Sequence, residues 1–156
     1  MKYFITILLT LLLAACASYS GSGLKPGEAQ LEDVLRVMGE PAMQWQDPDG
    51  SRQLAYTRGY YTYMVNIGPD GKLQRIENVM DKKYFSRIHP DMTKDQVLRI
   101  LGPSYLPGTA YFKARDELVW EWLFFTDFNI RARFDVLFDG TKGTVRSTLI
   151  LAPSPR

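Results

Sequence analysis

Catalysis needs a nucleophile, a base or a set of metal ligands, and this chain is short of all three. Of its 156 residues one is a cysteine, Cys16, and one a histidine, His89. Any Ser-His-Asp relay would have to be built on His89. That residue lies between Ile88 and Pro90, where a linker runs into an expected helix, and a structural or solvent-facing role fits it better. One histidine and one cysteine do not make a zinc site of nitrogen and sulfur ligands. Asp47-Pro48-Asp49-Gly50-Ser51 opens like a calcium loop, but the later ligands are missing, including the glutamate at the twelfth position. A tight turn is expected there. Gly140-Thr141-Lys142-Gly143 lacks the Gly-Lys-Ser/Thr order of a phosphate loop and reads as a hairpin turn. Glu121 stands between Trp120 and Trp122. Strand alternation puts the two tryptophans on one face and Glu121 on the other, so a solvated or hydrogen-bonded acid is expected. No catalytic residue, metal or cofactor is expected, and the chain reads as a non-enzyme.

Binding residues are easier to nominate. Arg58-Gly59-Tyr60-Tyr61-Thr62-Tyr63 gathers an arginine and three tyrosines at a hairpin, residue types that bring large contact area at low entropic cost to protein interfaces. Arg58, Tyr60 and Tyr61 are the candidates for contact with a protein partner. The competing reading has Tyr61 and Tyr63 packed on the inner face of a sheet with Tyr60 capping the turn. Trp120 and Trp122 read as core. Arg131 and Arg133 alternate with Phe134 and should line a solvent face open to an acidic partner or a lipid headgroup.

The remaining reactive group is Cys16. Lys2 is followed by an apolar run from Tyr3 to Leu13 and then by Leu13-Ala14-Ala15-Cys16. A basic start, a short apolar stretch and small residues at the cut describe a secretion signal, too short to span a bilayer, which takes about 20 apolar residues. The tetrapeptide resembles the lipobox of bacterial lipoproteins. That resemblance implies acylation of the Cys16 thiol, cleavage just before it and acylation of the new amino group. Two or three acyl chains make a stable anchor, since each buried methylene contributes about 0.8 kcal/mol and one chain alone holds only marginally. Ala17 follows, where Asp would resemble the inner-membrane retention signal of Gram-negative bacteria, so the expected site is the periplasmic face of the outer membrane. Ser18 to Gly23 has the composition of a flexible tether. The chain carries 19 Lys and Arg against 17 Asp and Glu. Losing Lys2 with the signal leaves a balance near +1, too weak a field to argue for nucleic acid.

The chain repeats itself. Leu31-Glu32-Asp33-Val34-Leu35-Arg36-Val37-Met38-Gly39 aligns with Lys94-Asp95-Gln96-Val97-Leu98-Arg99-Ile100-Leu101-Gly102, 63 positions on, and a proline follows each glycine (Pro41, Pro103). Leu31, Val34, Leu35 and Met38 fall at helical spacing, as do Val97, Leu98 and Leu101. Thr93-Lys94-Asp95-Gln96 has the form of a capping box, and Gly39 and Gly102 stand where a helix ends. Strands are expected over 52–56, 61–67 and 73–80 in the first copy and over 118–125, 131–138 and 144–151 in the second, with a short helix or turn over 81–88. The expected fold class is therefore α+β: two tandem modules, each a short helix packed on a three-stranded antiparallel sheet, with the helices gathered on one face. The divisions are a signal over 1–15, a lipidated start and tether over 16–26, a first module over 27–80, a linker and second module over 81–151, and a loose tail over 152–156.

At Ile88-His89-Pro90-Asp91-Met92-Thr93-Lys94-Asp95-Gln96-Val97, Leu101-Gly102-Pro103, Val119-Trp120-Glu121-Trp122, Phe134-Asp135-Val136-Leu137-Phe138 and Gly143-Thr144-Val145 the chain resembles the BamE family (SmpA/OmlA) of outer-membrane lipoproteins. Its pattern is Gly-Met-Thr, a helix with Gln-Val, then Leu-Gly-Pro and an aromatic strand. The match covers about 88–147, with a weaker echo over 27–73. Asp91 stands where the family usually has Gly, the first copy reads Gly27-Glu28-Ala29 in place of Met-Thr, and two modules replace the family's usual one. The resemblance implies a membrane-anchored scaffold whose protein partner is the β-barrel assembly machinery, serving outer-membrane protein assembly or envelope integrity. The paired layout is also similar to β-lactamase inhibitor proteins, which implies the alternative of a periplasmic enzyme inhibitor or ligand-binding module using the groove between the repeats.

Overall fold

A computed structural model describes residues 20–152; the signal, Cys16 and residues 153–156 of the expected tail lie outside the described residues. The first half runs α1 (Leu31–Met38), β1 (Met43–Gln46), β2 (Arg52–Arg58), β3 (Tyr61–Ile67) and β4 (Leu73–Asn78). A one-turn helix, α2 (Lys82–Phe85), leads to the second half: α3 (Lys94–Leu101), β5 (Ala110–Phe112), β6 (Glu117–Phe125), β7 (Arg131–Asp139) and β8 (Val145–Leu151). Each half is a helix followed by four antiparallel strands in sequential order. The class is α+β, and the expected three strands per sheet are corrected to four. The added strands, β1 and β5, are edge strands of four and three residues, held by pairs such as Met43 opposite Ala55 and Ala110 opposite Val119. Segments so short, set among prolines, carry no readable alternation.

The duplication extends to individual bonds. The Leu73 amide donates to the Ala29 carbonyl, and the Val145 amide to the Met92 carbonyl, both at 2.8 Å. Residues at the two helix starts, Gln30 and Thr93, bridge to Lys72 and Thr144 ahead of the last strand of each sheet. At the other end the Tyr56 hydroxyl donates to the Gly39 carbonyl (3.0 Å), and Trp122 Nε1 to the Gly102 carbonyl (3.2 Å), so each helix end is tied to the second strand of its own sheet. Burial, and then the nearby Glu40, push the Tyr56 hydroxyl up to about 12, so it remains a donor. Thr93 caps α3 as its sequence predicts, with the Gln96 amide on Thr93 Oγ1 (3.3 Å) and the Thr93 amide on Gln96 Oε1 (2.8 Å).

The helices do not share one face, contrary to expectation. Val34 and Met38 of α1 pack on Leu54, Tyr56, Val65, Ile67 and Leu73, one face of the first sheet. The opposite face of that sheet, with Ala55 and Met64, packs on Val97 and Leu101 of α3. The same cluster takes in Trp122, Phe134, Val136 and Phe138 of the second sheet, joined by Phe85 of α2 stacked on Phe134 at 4.2 Å. The order of layers is helix, sheet, helix, sheet. Both faces of β3 are consequently buried, including Thr62 and Met64. Gly102 has a φ of 71° and would place a β-carbon 2.8 Å from Thr62 Cγ2 and 3.2 Å from Ala55 Cβ, so its lack of a side chain lets the helix end against the other half's sheet. A polar clasp closes the same joint: Arg99 reaches Asp47 (2.8 Å) and Asp95 (3.4 Å), Trp45 Nε1 donates to Asp95 (3.2 Å), and Gln53 Nε2 donates to the Arg99 carbonyl (2.8 Å). The outer face of the second sheet has no α-helix over it among the described residues, only the 3-10 turn Leu106–Gly108 lying against Glu121.

Candidate interaction surface

The tips of two hairpins meet where the halves join. Arg58 and Tyr61 are the last pair of β2 and β3, leaving Gly59-Tyr60 as a two-residue turn in which Gly59 takes a φ of 59°, the positive angle such turns require. This throws Tyr60 away from its own sheet onto the second one. Its ring lies 4.7 Å from that of Phe125 at the end of β6, and the Arg131 guanidinium sits 5.6 Å from its centre. Tyr61 lies 5.8 Å from the same Phe125 and stacks on Tyr63 at 6.4 Å. Of the predicted contact residues, Tyr60 and Tyr61 are thus brought together across the joint. Tyr60 leans on a neighbour instead of capping its turn, and Tyr61 is 42% exposed instead of packing inward. Arg58 is exposed beside them, with Nη1 3.5 Å from the Thr57 carbonyl.

On one side of the turn Tyr60, Leu123, Arg131 and Arg133 line a hollow of about 220 Å³. On the other, Thr57, Gly59, Met80, Tyr105 and Leu123 line a groove of about 320 Å³ to which both halves contribute. Leu106, 78% exposed, and the half-exposed Tyr105 stand on its rim, and the turn between β6 and β7 presents Phe128, 86% exposed, and the half-exposed Ile130. The connection carrying Phe128 is ordered by local bonds, the Thr126 amide on the Ile130 carbonyl (2.9 Å) and the Asn129 amide on the Thr126 carbonyl (2.8 Å). Lys82 also pairs with Asp127 at 2.9 Å. Exposed apolar groups on an ordered frame are a surface of the kind that interaction sites use.

The residues nominated for chemistry stay apart. His89 is exposed, its amide 3.4 Å from Met92 Sδ. Residues 47–51 form a closed turn, with Asp49 Oδ1 accepting from the Ser51 amide (2.9 Å) and hydroxyl (2.6 Å). Among the described residues no group of three or more potential ligands could hold a metal ion. Trp122 is buried and Trp120 half-buried, at 6.3 Å from each other in the core. Arg131 and Arg133 do face outward.

The acids on the outer face of the second sheet were not legible as a group. Glu121 faces away from the tryptophans, as alternation requires, yet is only 6% exposed and pairs with Arg133 at 3.0 Å. Directly opposite it in register is Asp135, 8% exposed, whose Oδ1 is buried without a hydrogen-bond partner. Burial first, and then the Glu121 charge, push the Asp135 carboxyl above the usual carboxylate range, and Arg133 offsets this in part. Period-two spacing of Arg133 and Asp135 on β7 was a usable signal for their common face; the register that sets Asp135 against Glu121 was not. Compared with known proteins, the chain matches no family model, no curated protein and no solved structure.

Proposed function

We propose that the protein is a lipoprotein anchored through Cys16 at the periplasmic face of the outer membrane, and that it binds protein partners without catalysing a reaction. The observation that carries the binding reading is the joint of the two hairpins, where Tyr60 bridges the halves onto Phe125 under Arg131 with Phe128 and Leu106 exposed nearby. Rigid aromatic groups and arginine beside an apolar rim are the usual anchors of protein recognition. The anchoring reading rests on Leu13-Ala14-Ala15-Cys16.

The role we propose is that of a scaffold in outer-membrane protein assembly or envelope integrity, by kinship with the BamE (SmpA/OmlA) lipoproteins in a two-module form. Two features of the fold favour that kinship. Asp91, at the place the family gives to Gly, has a φ of 67°, an angle glycine adopts without strain. The Met-Thr pair that follows also does structural work, Met92 by bonding to the last strand and Thr93 by capping α3. An anchor raises the local concentration of the binding face near its partners, so modest contacts suffice.

The test is capture of the lipidated protein from membranes, with Tyr60→Ala and Phe128→Ser beside the wild type. Recovery of barrel-assembly components by the wild type and a several-fold loss with either variant would support the role; equal recovery in all three would discard the joint as the binding face. Separately, Cys16→Ser should leave the protein out of the membrane fraction, and its firm retention there would contradict the anchor. The groove shared by both halves favours a second reading, an inhibitor or ligand-binding module. Inhibition of a periplasmic hydrolase by the purified domain, without co-isolation of assembly components, would select it.

A further inference from the structure

Away from the hairpin joint, the outer face of the second sheet carries a hollow of about 300 Å³. Its floor is the cross-strand pair Glu121 and Asp135, flanked by Val119 and Leu137, and its walls include Phe112 and Leu149. The charges do not balance. Glu117 is held by Arg115 (2.8 Å) and Glu121 by Arg133 (3.0 Å), whereas Asp135 Oδ1 has no partner. Two carboxylates directly opposite each other on adjacent strands repel, and an unpaired buried oxygen is rare in a folded protein. The loop over the site adds to the burial. A β-carbon at Gly108 would overlap the Glu121 carboxylate, and the Tyr105 amide donates to the Glu121 carbonyl at 2.7 Å, so this loop is fastened down on the acid.

We infer that this hollow is a recognition site for a lysine side chain of a protein partner, with the ammonium on Asp135 and the methylene stem against Leu149 and Phe112. One carboxylate is left over, and one positive charge answers it. Between the paired arginines the wall offers Val119, Leu137 and Leu149, with Phe112 already under the Arg115 guanidinium at 4.5 Å, which suits a chain of methylenes and not a bare ion. A compact ammonium on a flexible stem can pair with the small exposed edge of the Asp135 carboxylate, while a planar guanidinium needs a wider, forked acceptor. Arg133 already fills that forked role on Glu121. The inference does not depend on Tyr60 or on the lipid anchor, because Arg133 alone is common to the two hollows and binding is read on the protein without its signal.

The test uses N-acetyl-lysine-N-methylamide as the probe and the norleucine analogue, which lacks only the amino group, as the control. Methyl NMR spectra of the protein without its signal are followed at Val119, Leu137 and Leu149. The lysine probe should give saturable shifts at these methyls in the millimolar range, and the norleucine probe none. Asp135→Asn, nearly the same shape, should weaken binding about tenfold or more, as expected for loss of a charged hydrogen-bond partner. Leu149→Ala, at a half-exposed position that cannot threaten the fold, should weaken it by a smaller factor. Equal shifts with the norleucine probe, undiminished binding by a folded Asp135→Asn protein, or tighter binding of the matching arginine or spermidine probe would each overturn the assignment.

Discussion

Glu121 and Asp135 show why a residue's face can be read from sequence and its environment cannot. Alternation around Trp120 and Trp122 places Glu121 on the outer side of β6, and there it lies. Its burial is contributed by residues 105–108, which fold back over the sheet from beyond Pro103, a long-range event with no local trace. The same holds for Tyr60, whose type suggested a contact but whose neighbour, Phe125, is 65 positions away. The consequence for stability can be worked out at Asp135. Its carboxyl titrates above the normal range in the folded protein, so the folded state holds its proton more tightly than the unfolded chain. That contribution is fully present below the unfolded value near 3.8 and is lost as pH rises through the folded value. At neutral pH the buried charge therefore opposes folding. Asp135→Asn should raise the midpoint of thermal unfolding at pH 7, and its advantage should shrink as the pH falls toward 3.8. Paired melts across that range check the sign; an advantage that grows at low pH would contradict it.

The elements that were legible are those with both a period and a stop signal. The helix over 94–101 has its Thr93 box, its apolar stripe and the Gly102 end, and every one of these is visible in one dimension. Strand β3 carries Tyr61, Tyr63, Val65 and Ile67 at a spacing of two, and β7 carries Phe134, Val136 and Phe138. β1 and β5 are missed because an edge strand of three or four residues is specified by its partner's open hydrogen-bonding groups more than by its own pattern. Substitutions at two positions test the start of α3. Thr93→Ala removes the hydroxyl that accepts from the Gln96 amide and should destabilise by about 1 kcal/mol. Asp91 sits just before, at a positive φ, with its amide on the Val145 carbonyl at 2.9 Å. Asp91→Val should destabilise by about 1–2 kcal/mol, since a branched side chain tolerates that angle poorly, whereas Asp91→Gly should not destabilise. Chemical denaturation of the two Asp91 variants reads the difference directly, and equal losses would mean that backbone angle is not what governs the site.

For the whole molecule, the repeat read from sequence names the parts correctly and misses how they are joined. Two helix-and-sheet units invite a picture of separate cores with a groove between them. In the fold, α3 fills that space: Leu101 and Val97 are fully buried, packed together with Ala55 and Met64 of the first sheet and Trp122 and Val136 of the second. The sequence hides this, because the side of β3 that carries Met64 also carries the polar Thr62 and Asn66 and reads as a wetted face. What is left open is the hairpin joint at one end and the outer face of the second sheet. Because α3 packs in one core with residues of both sheets, the halves should unfold as one cooperative unit. Leu101→Ala removes buried methyl groups from the centre of the stack and should cost about 2–5 kcal/mol of stability. Amide hydrogen exchange in β2 and β3 should lose protection together with β6 and β7, by the same free energy, although the substitution lies in only one of the repeats. Retention of wild-type protection in the first sheet would show that the two halves are separate cooperative units, and that the shared helix does not couple them.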